Sequence, residues 1–419
     1  MSDSKLFRVA LLILITAIHV NFVQITSYDS RWSVLNAVSL LRTGDLNLAE
    51  YQPILKDNDD YGIVRIGDKA YDRFPIGTSL IVTPAVFVLM QINGRREIEK
   101  HRVYVEEFLA AMLMALSGYF FFIIAKHYLE IPGTLFLVAL FVFCTPLVST
   151  GSRALWSNSG SIFVISLLLL FLFKSAFDAR WLIGAGLTLG LAYVVRPTNA
   201  LSVLVFSAYA IFRFKEKSFL LFLPGLVIAV SFFAYNFAVY SSILSPYYSE
   251  RLLFTNTDFW NGFFASLFSP SRGLFIWAPA LFFAWISLWI AFRNKDRNLW
   301  LYVACAIVFW LHLIAVGSFK WWHGGHSIGP RLMTDVIPLL TVMLIPLFRT
   351  LERGRYRVLV APLLLASMAG LWINWHAANE QGSLNWIRTP ENVDSNQNRA
   401  WNWHDAQFNR QNHTARLLY

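Results

Sequence analysis

The sequence predicts an all-α polytopic membrane protein. Of its 419 residues, 56% are hydrophobic and only 14% are charged, whereas a soluble domain needs more polar surface. Apolar runs of about 15 to 22 residues recur from residue 6 to residue 376, and a helix needs about 20 apolar residues to cross the hydrocarbon core. Short basic segments separate many of these runs. Together, these features favour one helical bundle over nearly the whole chain.

The apolar runs define a set of candidate membrane-spanning segments. In chain order they cover residues 6–26, 75–92, 103–125, 134–150, 158–173, 181–195, 198–212, 219–240, 273–291, 299–317, 331–348 and 357–376. Basic residues around Lys217, Lys295 and Arg353 mark cytoplasmic connectors by the positive-inside rule, as do Lys5 and Arg8 near the N-terminus. If all of these segments crossed the membrane, the N-terminal and C-terminal parts of the chain could not both satisfy this rule.

Segment 75–92 is the weakest candidate, because Pro75 stands at its start and Pro84 in its middle. We interpret it as a juxtamembrane or re-entrant segment. We therefore expect about 11 transmembrane helices, within a range of about 10 to 13. The N-terminus is then cytoplasmic and the C-terminus extracytoplasmic. The basic run from Arg95 to Arg102 opposes this topology, and the alternative is a single kinked helix over residues 181–212 with 75–92 crossing.

This topology predicts one transmembrane bundle over residues 1–376 in the inner or plasma membrane. Its large extracytoplasmic loops are residues 27–102, 241–272 and 319–331. The first of these loops is expected to bear juxtamembrane helices. Residues 377–419 form an extracytoplasmic tail rich in Asn, Gln, Trp and His, interpreted as a small cap or a poorly ordered end. Since the polar sequence lies mainly on one side, we expect the chemistry on that side.

Composition and motifs exclude several function classes. The net charge of +10 comes from basic residues scattered between spans, which the positive-inside rule and anionic lipid explain better than nucleic acid does. Cys144 and Cys305 lie in apolar runs and behave as small hydrophobes. The sequence has no phosphate-binding loop, zinc-protease motif, nucleophile elbow or dinucleotide fingerprint. Charges within the spans are scarce, which disfavours an ion-coupled transporter.

Asp29, in the stretch TSYDSRW, is the first acidic residue after the first span. A carboxylate at the membrane surface has an ordinary pKa of about 3.9, so it is ionised at neutral pH and can accept a proton from a hydroxyl. The alternative is structural: Asp29 or Ser30 is the N-cap of an amphipathic helix that runs through Trp32 and Leu35. Both interpretations remain open from the sequence.

A group of arginines is expected at the outer boundaries of different spans. Each arginine alone is typical of a side chain that snorkels to the interface. Together they predict a phosphate or pyrophosphate site, because guanidinium groups match phosphate oxygens and stabilise charge on a leaving group. This prediction assumes that bundle packing brings them together. The candidates are Arg73, Arg153, Arg196, Arg272 and Arg331.

The loop WWHGGHSIGPR, from Trp321, lies between two apolar runs. Its glycines and proline fit a simple turn or the close approach of a backbone to a ligand. His323 and His326 are three residues apart, but the sequence pairs no carboxylate with them, so a divalent metal is not favoured and no cofactor is required. The tryptophans fit an interfacial belt or a stacking surface for a sugar. The candidate sugar or phosphate contacts are Tyr71, Trp322, His323 and His326.

These motifs, in this order, resemble the GT-C superfamily of membrane glycosyltransferases. The motifs are Asp29 in the first outer loop, Tyr71-Asp72-Arg73-Phe74-Pro75-Ile76-Gly77, RPT from Arg196, SPSRGL from Ser269 and GGHSIGPRL from Gly324. Within the superfamily, the chain is most similar to bacterial members related to protein O-mannosyltransferases and the lipid A aminoarabinose transferase. It departs from many relatives at Ser30 and Arg31, where a second acid would follow Asp29, and this puts metal assistance in doubt.

The resemblance implies a glycosyltransferase that takes a sugar from a polyprenyl-phosphate donor on the extracytoplasmic face. Asp29 would be the general base for an acceptor hydroxyl on a glycan, lipid or protein, and the arginines would hold the lipid phosphate. Because polyprenyl phosphate is a good leaving group, cationic groups suffice at the departing oxygen, and direct attack implies inversion. The alternatives are a flippase or transporter of polyprenyl-linked sugars without transfer chemistry, a noncatalytic scaffold and a polymerase-like enzyme.

Overall fold

The computed structural model describes residues 5–23, 27, 29–51, 62–249 and 254–410. Helices make up most of this described chain. The helices are α1 (Lys5–His19), α2 (Ser33–Thr43), α3 (Gly77–Asn93), α4 (Arg95–Lys100), α5 (Arg102–Lys126), α6 (Ile131–Phe143), α7 (Ser157–Ser175), α8 (Trp181–Val195), α9 (Ala200–Phe214), α10 (Phe219–Tyr240), α11 (Pro246–Ser249), α12 (Phe259–Phe268), α13 (Leu274–Trp277), α14 (Phe283–Arg293), α15 (Leu299–Gly317), α16 (Ile337–Met343), α17 (Ile345–Glu352), α18 (Val360–Asn379) and α19 (Gln381–Asn385).

Several helices have the length and composition of membrane spans, which favours a membrane protein. Six helical stretches of the described chain are long and apolar enough to cross a bilayer. They are Arg102–Lys126, Ser157–Ser175, Pro197–Tyr240, Leu299–Gly317, Arg331–Glu352 and Arg357–Asn379. Four shorter helical stretches are also apolar: Gly77–Asn93, Ile131–Phe143, Trp181–Val195 and Pro279–Arg293. The helical architecture expected from the sequence is therefore present in its coarse form.

The first outer loop contains a β-hairpin that the all-α prediction missed. Strand β1 (Ile63–Ile66) pairs antiparallel with β2 (Lys69–Asp72), so that Val64 lies opposite Tyr71. Gly67 adopts a left-handed conformation (φ +60°) in the two-residue turn, as tight hairpins require. The strands are too short for their periodicity to stand out within a long polar loop.

The short connectors of the bundle meet at one end, which we call the basic end. The Glu352 carboxylate accepts the Glu130 N–H at 3.1 Å, and the Arg349 guanidinium lies 2.6 Å from the Asp296 carboxylate. Arg297 donates to the Ala176 carbonyl at 2.9 Å. Basic residues occupy the last turns of several helices here: Lys126, Lys174, Arg213, Arg293 and Arg349.

The opposite end, which we call the site end, holds described parts of the three outer loops defined from the sequence. The Val23 N–H donates to the Ala378 carbonyl at 3.1 Å, and Ser149 donates to the Asn374 side chain at 2.7 Å. The Thr255 N–H donates to the Ser318 carbonyl at 3.0 Å. The site end comprises the described parts of residues 19–51, 62–77, 144–158, 194–200, 241–277, 317–336 and 374–410.

Both ends of α3 lie near the site end. A Cβ atom added to Gly77 would fall 2.5 Å from the Val195 Cα, so the start of α3 is pressed against the last turn of α8. Leu89 and Asn93, near its other end, line one groove with Tyr104 in the first turn of α5. Because a continuous helix cannot turn back, these contacts indicate that α3 lies along the site end.

Helices α8 and α9 are two separate helices rather than one kinked helix over residues 181–212. Arg196 is extended (φ −160°, ψ 128°) and breaks the path between them. Trp181 at the start of α8 stacks on Phe171 with ring centroids 5.8 Å apart, and Phe212 near the end of α9 packs on Trp300 at 5.3 Å. The start of α8 and the end of α9 therefore both lie at the basic end, and the junction between the two helices at Arg196 lies at the site end.

The described part of the C-terminal tail, residues 381–410, is folded against the site end. The Trp386, Ile387 and Val393 side chains are buried and form a small apolar cluster. The Trp401 indole donates to the Asn261 side chain at 2.7 Å. The interpretation of this segment as a poorly ordered end is therefore wrong for residues 381–410. Residues 377–379 of the predicted tail belong to α18, and residues 411–419 lie outside the described residues.

Candidate functional site

Asp29, the candidate base, and Arg331, one of the five candidate phosphate-binding arginines, form an ion pair at the site end. The Arg331 guanidinium donates to Asp29 Oδ2 across a separation of 302 residues. The Ser27 hydroxyl donates to the other carboxylate oxygen, Oδ1. The Asp29 side chain is 23% exposed and the Arg331 side chain 12%. Solvent therefore reaches the edge of the pair.

Asp29 is not a helix cap. Helix α2 begins at Ser33, and Trp32 occupies the N-cap position without a side-chain capping bond. Both oxygens of the Asp29 carboxylate are engaged by Ser27 and Arg331 instead. The structural alternative considered from the sequence is therefore wrong at this position.

The electrostatic surroundings keep Asp29 ionised. Burial by itself would raise the pKa of the Asp29 carboxyl, but the Arg331 charge and the hydrogen bonds from Ser27 and Arg331 hold that pKa below its ordinary value. The carboxylate is consequently charged at neutral pH. While the Arg331 guanidinium stays on it, the same contact makes it a weak proton acceptor.

The start of α7 fixes the Arg331 side chain. Arg331 Nε donates to Asn158 Oδ1 at 3.2 Å, and Asn158 Nδ2 donates back to the Arg331 carbonyl at 2.9 Å. The guanidinium carbon lies 4.5 Å from the ring centroid of Trp156, within the range of a cation–π contact. The Trp156 indole N–H donates to the Ser27 hydroxyl. Trp156 thus contacts Arg331 directly and is linked to Asp29 through Ser27.

Arg196 belongs to the same network but carries a carboxylate partner of its own. Arg196 Nε lies 3.0 Å from Asp335 Oδ2, and Asn158 Nδ2 lies 3.4 Å from Asp335 Oδ1. His312 Nε2 approaches the same carboxylate at 3.8 Å. Asn158 and Asp335 therefore connect Arg196 to Arg331, and Asp335 offsets the Arg196 charge.

Arg153 is buried away from this network. It is 1% exposed, and its guanidinium lies 3.1 Å from the Glu107 carboxylate and donates to the His19 carbonyl and, at 3.1 Å, to Ser152. Burial lowers the pKa of Arg153 to about 10, against the opposing charge of Glu107, so the side chain stays charged at neutral pH. Because both terminal nitrogens of its guanidinium serve internal partners, we remove Arg153 from the candidate phosphate site.

Arg272 is likewise buried, at 2% exposure. It donates to the Gln407 side chain, to the Ser271 carbonyl at 3.0 Å and to the Gly325 carbonyl at 3.4 Å. Burial lowers the pKa of Arg272 to about 9. The guanidinium also lies 5.1 Å from the Trp386 ring centroid. Arg272 joins the tail to two outer loops, so it too leaves the candidate phosphate site.

The β-hairpin brings Tyr71 and Arg73 to the site end, with a second carboxyl group between them. Tyr71 is buried on β2, with its ring centroid 6.0 Å from that of Tyr240, and the Arg73 N–H donates to the Gly62 carbonyl at 3.0 Å. Asp72 accepts Asn36 Nδ2–H at 2.7 Å. Burial raises the pKa of Asp72 to about 7, and the Asp29 charge contributes in the same direction. Asp72 thus lies within electrostatic reach of Asp29.

The loop from Trp321 is mainly a packed turn. Trp322 is buried, and His323 is buried beside it with Nδ1 accepting the Gly325 N–H at 3.2 Å. Burial and the nearby Arg272 charge lower the pKa of His323 to about 3, so this imidazole is neutral at physiological pH. Neither side chain is open to a sugar, and both leave the candidate contact set.

His326 meets a carboxylate that the sequence did not reveal. Its Nε2 atom lies 3.4 Å from Asp394 Oδ2, and the side chain is 39% exposed. In the part of the chain that the structure describes, no group of three or more His, Cys, Asp or Glu side chains is arranged to hold a metal ion.

Sequence reasoning missed several residues of the network. Ser27, Trp156 and Asn158 carry no distinctive pattern, because ordinary polar and aromatic residues are common near span boundaries. Glu106, which accepts the Leu155 N–H at 3.1 Å, and Asp335 did carry a signal. Both are acids within apolar runs, where ionisable residues are rare and usually functional.

Fold and site together define a helical protein that has apolar helices long enough to cross a membrane and a partly exposed Asp–Arg pair at one end of its bundle. No family model matches the chain, and no curated protein matches its sequence. The functional argument therefore depends on the geometry of the Asp29–Arg331 pair and on the order of the sequence motifs.

The burial of Arg153 predicts a structural role that unfolding measurements can test. Glu107→Gln leaves the guanidinium buried without its carboxylate, so we expect a loss of about 3 to 5 kcal/mol in stability and a lower Tm in detergent. The double variant Arg153→Met/Glu107→Leu removes both charges and should recover most of the loss. Glu97→Gln is the control, because Glu97 is 55% exposed. A wild-type Tm for Glu107→Gln would contradict this role.

Proposed function

We propose that the protein is an inverting glycosyltransferase that moves a sugar from a polyprenyl-phosphate donor to an acceptor hydroxyl. The observation that supports this proposal best is the ion pair between Asp29 and Arg331, a general-base candidate and a phosphate-binding candidate in direct contact at a partly exposed edge. The same residues carry the resemblance of the sequence to the GT-C superfamily. The donor sugar and the acceptor molecule stay open.

We further propose that the basic end faces the cytoplasm and that the site end is extracytoplasmic. Lysines and arginines concentrate at the short connectors of the basic end, as the positive-inside rule requires of cytoplasmic loops. Eleven crossings are the corresponding count, with α3 as the apolar helix that does not cross. The contacts of both ends of α3 with the site end support this count.

In the proposed mechanism, the donor phosphate competes with Asp29 for the Arg331 guanidinium. Arg331 and Arg73 are the arginines proposed to receive the phosphate. Arg196 takes a lesser part, because Asp335 lies 3.0 Å from its Nε atom. A guanidinium can face two anions with different N–H groups, so the phosphate draws positive charge away from Asp29 as it binds.

Donor binding would then activate the base. When the Arg331 guanidinium turns towards the phosphate, the interaction that depresses the pKa of Asp29 weakens, and the carboxylate becomes a stronger proton acceptor. Asp29 takes the proton of the acceptor hydroxyl, whose oxygen attacks the anomeric carbon opposite the phosphate. The bond from that carbon to the phosphate oxygen breaks, and arginine charge stabilises the departing polyprenyl phosphate. Attack from the opposite face inverts the anomeric configuration.

The proposal predicts that Asp29→Asn abolishes acceptor-dependent release of polyprenyl phosphate. Purified protein is incubated with a synthetic polyprenyl-phosphate sugar and an acceptor panel, and we expect the variant to lose about 100-fold or more in kcat, the contribution typical of a general base. Asp68→Asn, which changes an exposed carboxylate in the hairpin turn, serves as the control. Full turnover by Asp29→Asn would refute the base assignment. Movement of the intact donor across the membrane without cleavage would instead support the flippase alternative.

The Arg331 contact predicts a shift in the pH dependence of kcat/KM, which reports groups of the free enzyme. Arg331 holds the pKa of Asp29 down, so Arg331→Gln raises that pKa and moves the acidic limb of the profile to higher pH. The variant therefore loses a larger fraction of its activity than the wild type does as the solution is acidified. Arg388→Gln, at an exposed arginine of the same end, should leave the limb in place. An unshifted limb in Arg331→Gln would show that Asp29 does not control it.

The proposed topology predicts that residue 100 is extracytoplasmic. Lys100→Cys, at an exposed site after α3, should react with a membrane-impermeant maleimide in intact spheroplasts. Lys295→Cys, exposed at the basic end, should react only after permeabilisation. Background labelling should be low because Cys144 and Cys305 are buried. Protection of residue 100 in intact spheroplasts would mean that α3 crosses the membrane.

A further inference from the structure

We infer that the C-terminal tail completes the site and that Gln407 helps to position Arg331 by holding the turn before it. This inference rests on the proposed function for its catalytic meaning, whereas the structural link can be measured separately. It assigns a role to a tail residue more than seventy positions beyond Arg331, which the sequence motifs leave out.

The Gln407 side-chain amide is completely buried and engages four groups of the site end. Its Oε1 atom accepts the Gly329 N–H at 2.9 Å and a guanidinium N–H of Arg272. Its Nε2 atom donates to the Ser327 carbonyl at 3.0 Å and to the Ser383 carbonyl at 2.9 Å. An amide offers two donor hydrogens and an acceptor oxygen with two lone pairs, so every position is used.

Two of these bonds hold the turn from which Arg331 projects. Gly329 has a φ of +60°, and a Cβ there would lie 2.8 Å from the Trp277 ring, so the turn depends on glycine. The Arg331 N–H donates to the Gly329 carbonyl at 2.9 Å, which joins the arginine directly to the residue that Gln407 binds. Gly324 and Gly325 are also left-handed, at φ +75° and +59°.

A loop that contains three left-handed glycines gains much conformational freedom when its external contacts are removed. The Gln407 amide supplies two such contacts, at Ser327 and Gly329. Without them, the segment before Arg331 can sample other conformations. The guanidinium would then reach Asp29 and a donor phosphate less often in the required geometry.

The tail itself is anchored firmly enough to serve as a support. Two guanidinium groups contact the buried Trp386 ring, with the Arg399 carbon at 4.5 Å and the Arg272 carbon at 5.1 Å from its centroid. The Gln407 N–H donates to the Ser271 hydroxyl at 3.1 Å. The amide is thus held in place by its own backbone as well as by its partners.

Gln407→Met tests this inference, because methionine has a similar length but no amide. The matched control is Gln397→Met, which removes a tail amide that donates to the Lys320 carbonyl at 3.2 Å. Hydrogen exchange is measured at residues 324–331, and binding of undecaprenyl phosphate is measured in nanodiscs. For Gln407→Met we expect Gly329 to exchange at least about tenfold faster and the lipid to bind about tenfold more weakly, as loss of a buried hydrogen-bonding group implies. The control should match the wild type.

The outcomes separate this inference from the proposed function. If hydrogen exchange at Gly329 is unchanged in Gln407→Met, Gln407 does not hold the turn before Arg331. If exchange is faster but lipid affinity is unchanged, Gln407 does not position Arg331 for the lipid. If the wild-type protein does not bind the lipid, the proposed function fails. The catalytic meaning of the Gln407 contacts fails with it, whereas exchange at Gly329 still tests the structural link. If Gln407→Met does not fold, Gln407→Glu replaces it, because its carboxylate keeps the acceptor for Gly329. Relative to the wild type, exchange should rise at Ser327, whose carbonyl loses its donor, and should rise less at Gly329; unchanged exchange at both residues would overturn the role of Gln407.

Discussion

The contact between Asp29 and Arg331 is the constraint on which the arrangement of the site end depends. It joins the turn after α1 to the turn before α16, and the intervening helices must pack so that these two turns meet. Bringing two charges out of water is costly unless neighbouring groups satisfy them. Ser27, Trp156 and Asn158 do this, and a network of neutral side chains therefore surrounds the pair. The exposed edge of the Asp29–Arg331 pair is available to a charged ligand.

The arginines at the site end divide into two kinds according to what surrounds them. Arg153 and Arg272 are enclosed by carbonyls and side chains, so their charge stabilises the joints between segments. Arg331 and Asp29 keep an exposed edge, so their interaction can be exchanged for another. An arginine at a span boundary is therefore informative only together with its burial and its partners, and a count of arginines alone overstates the size of a phosphate site.

The sequence was sufficient for the helical architecture because each apolar run had to become a helix to satisfy its backbone in a bilayer. It also predicted Asp29 and Arg331 as site candidates, since an isolated acid and an arginine beside Gly-Pro stand out against apolar surroundings, and the two residues form an ion pair. It did not resolve which arginines would face each other, because that depends on packing between distant helices. Partners such as Gln407 are equally hidden, since a buried glutamine and an exposed one look alike in sequence.

The attachment of the tail has a consequence for biosynthesis. Residues 381–410 follow α18, so they leave the ribosome after helices α1 to α18 of the bundle. In the proposed orientation they must also be carried across the membrane before Gln407 can reach Gly329. A nascent chain, or one truncated before this segment, would hold its transmembrane helices but lack a fixed Arg331 turn. In that orientation, the Arg331 turn would be completed only after residues 381–410 have crossed the membrane.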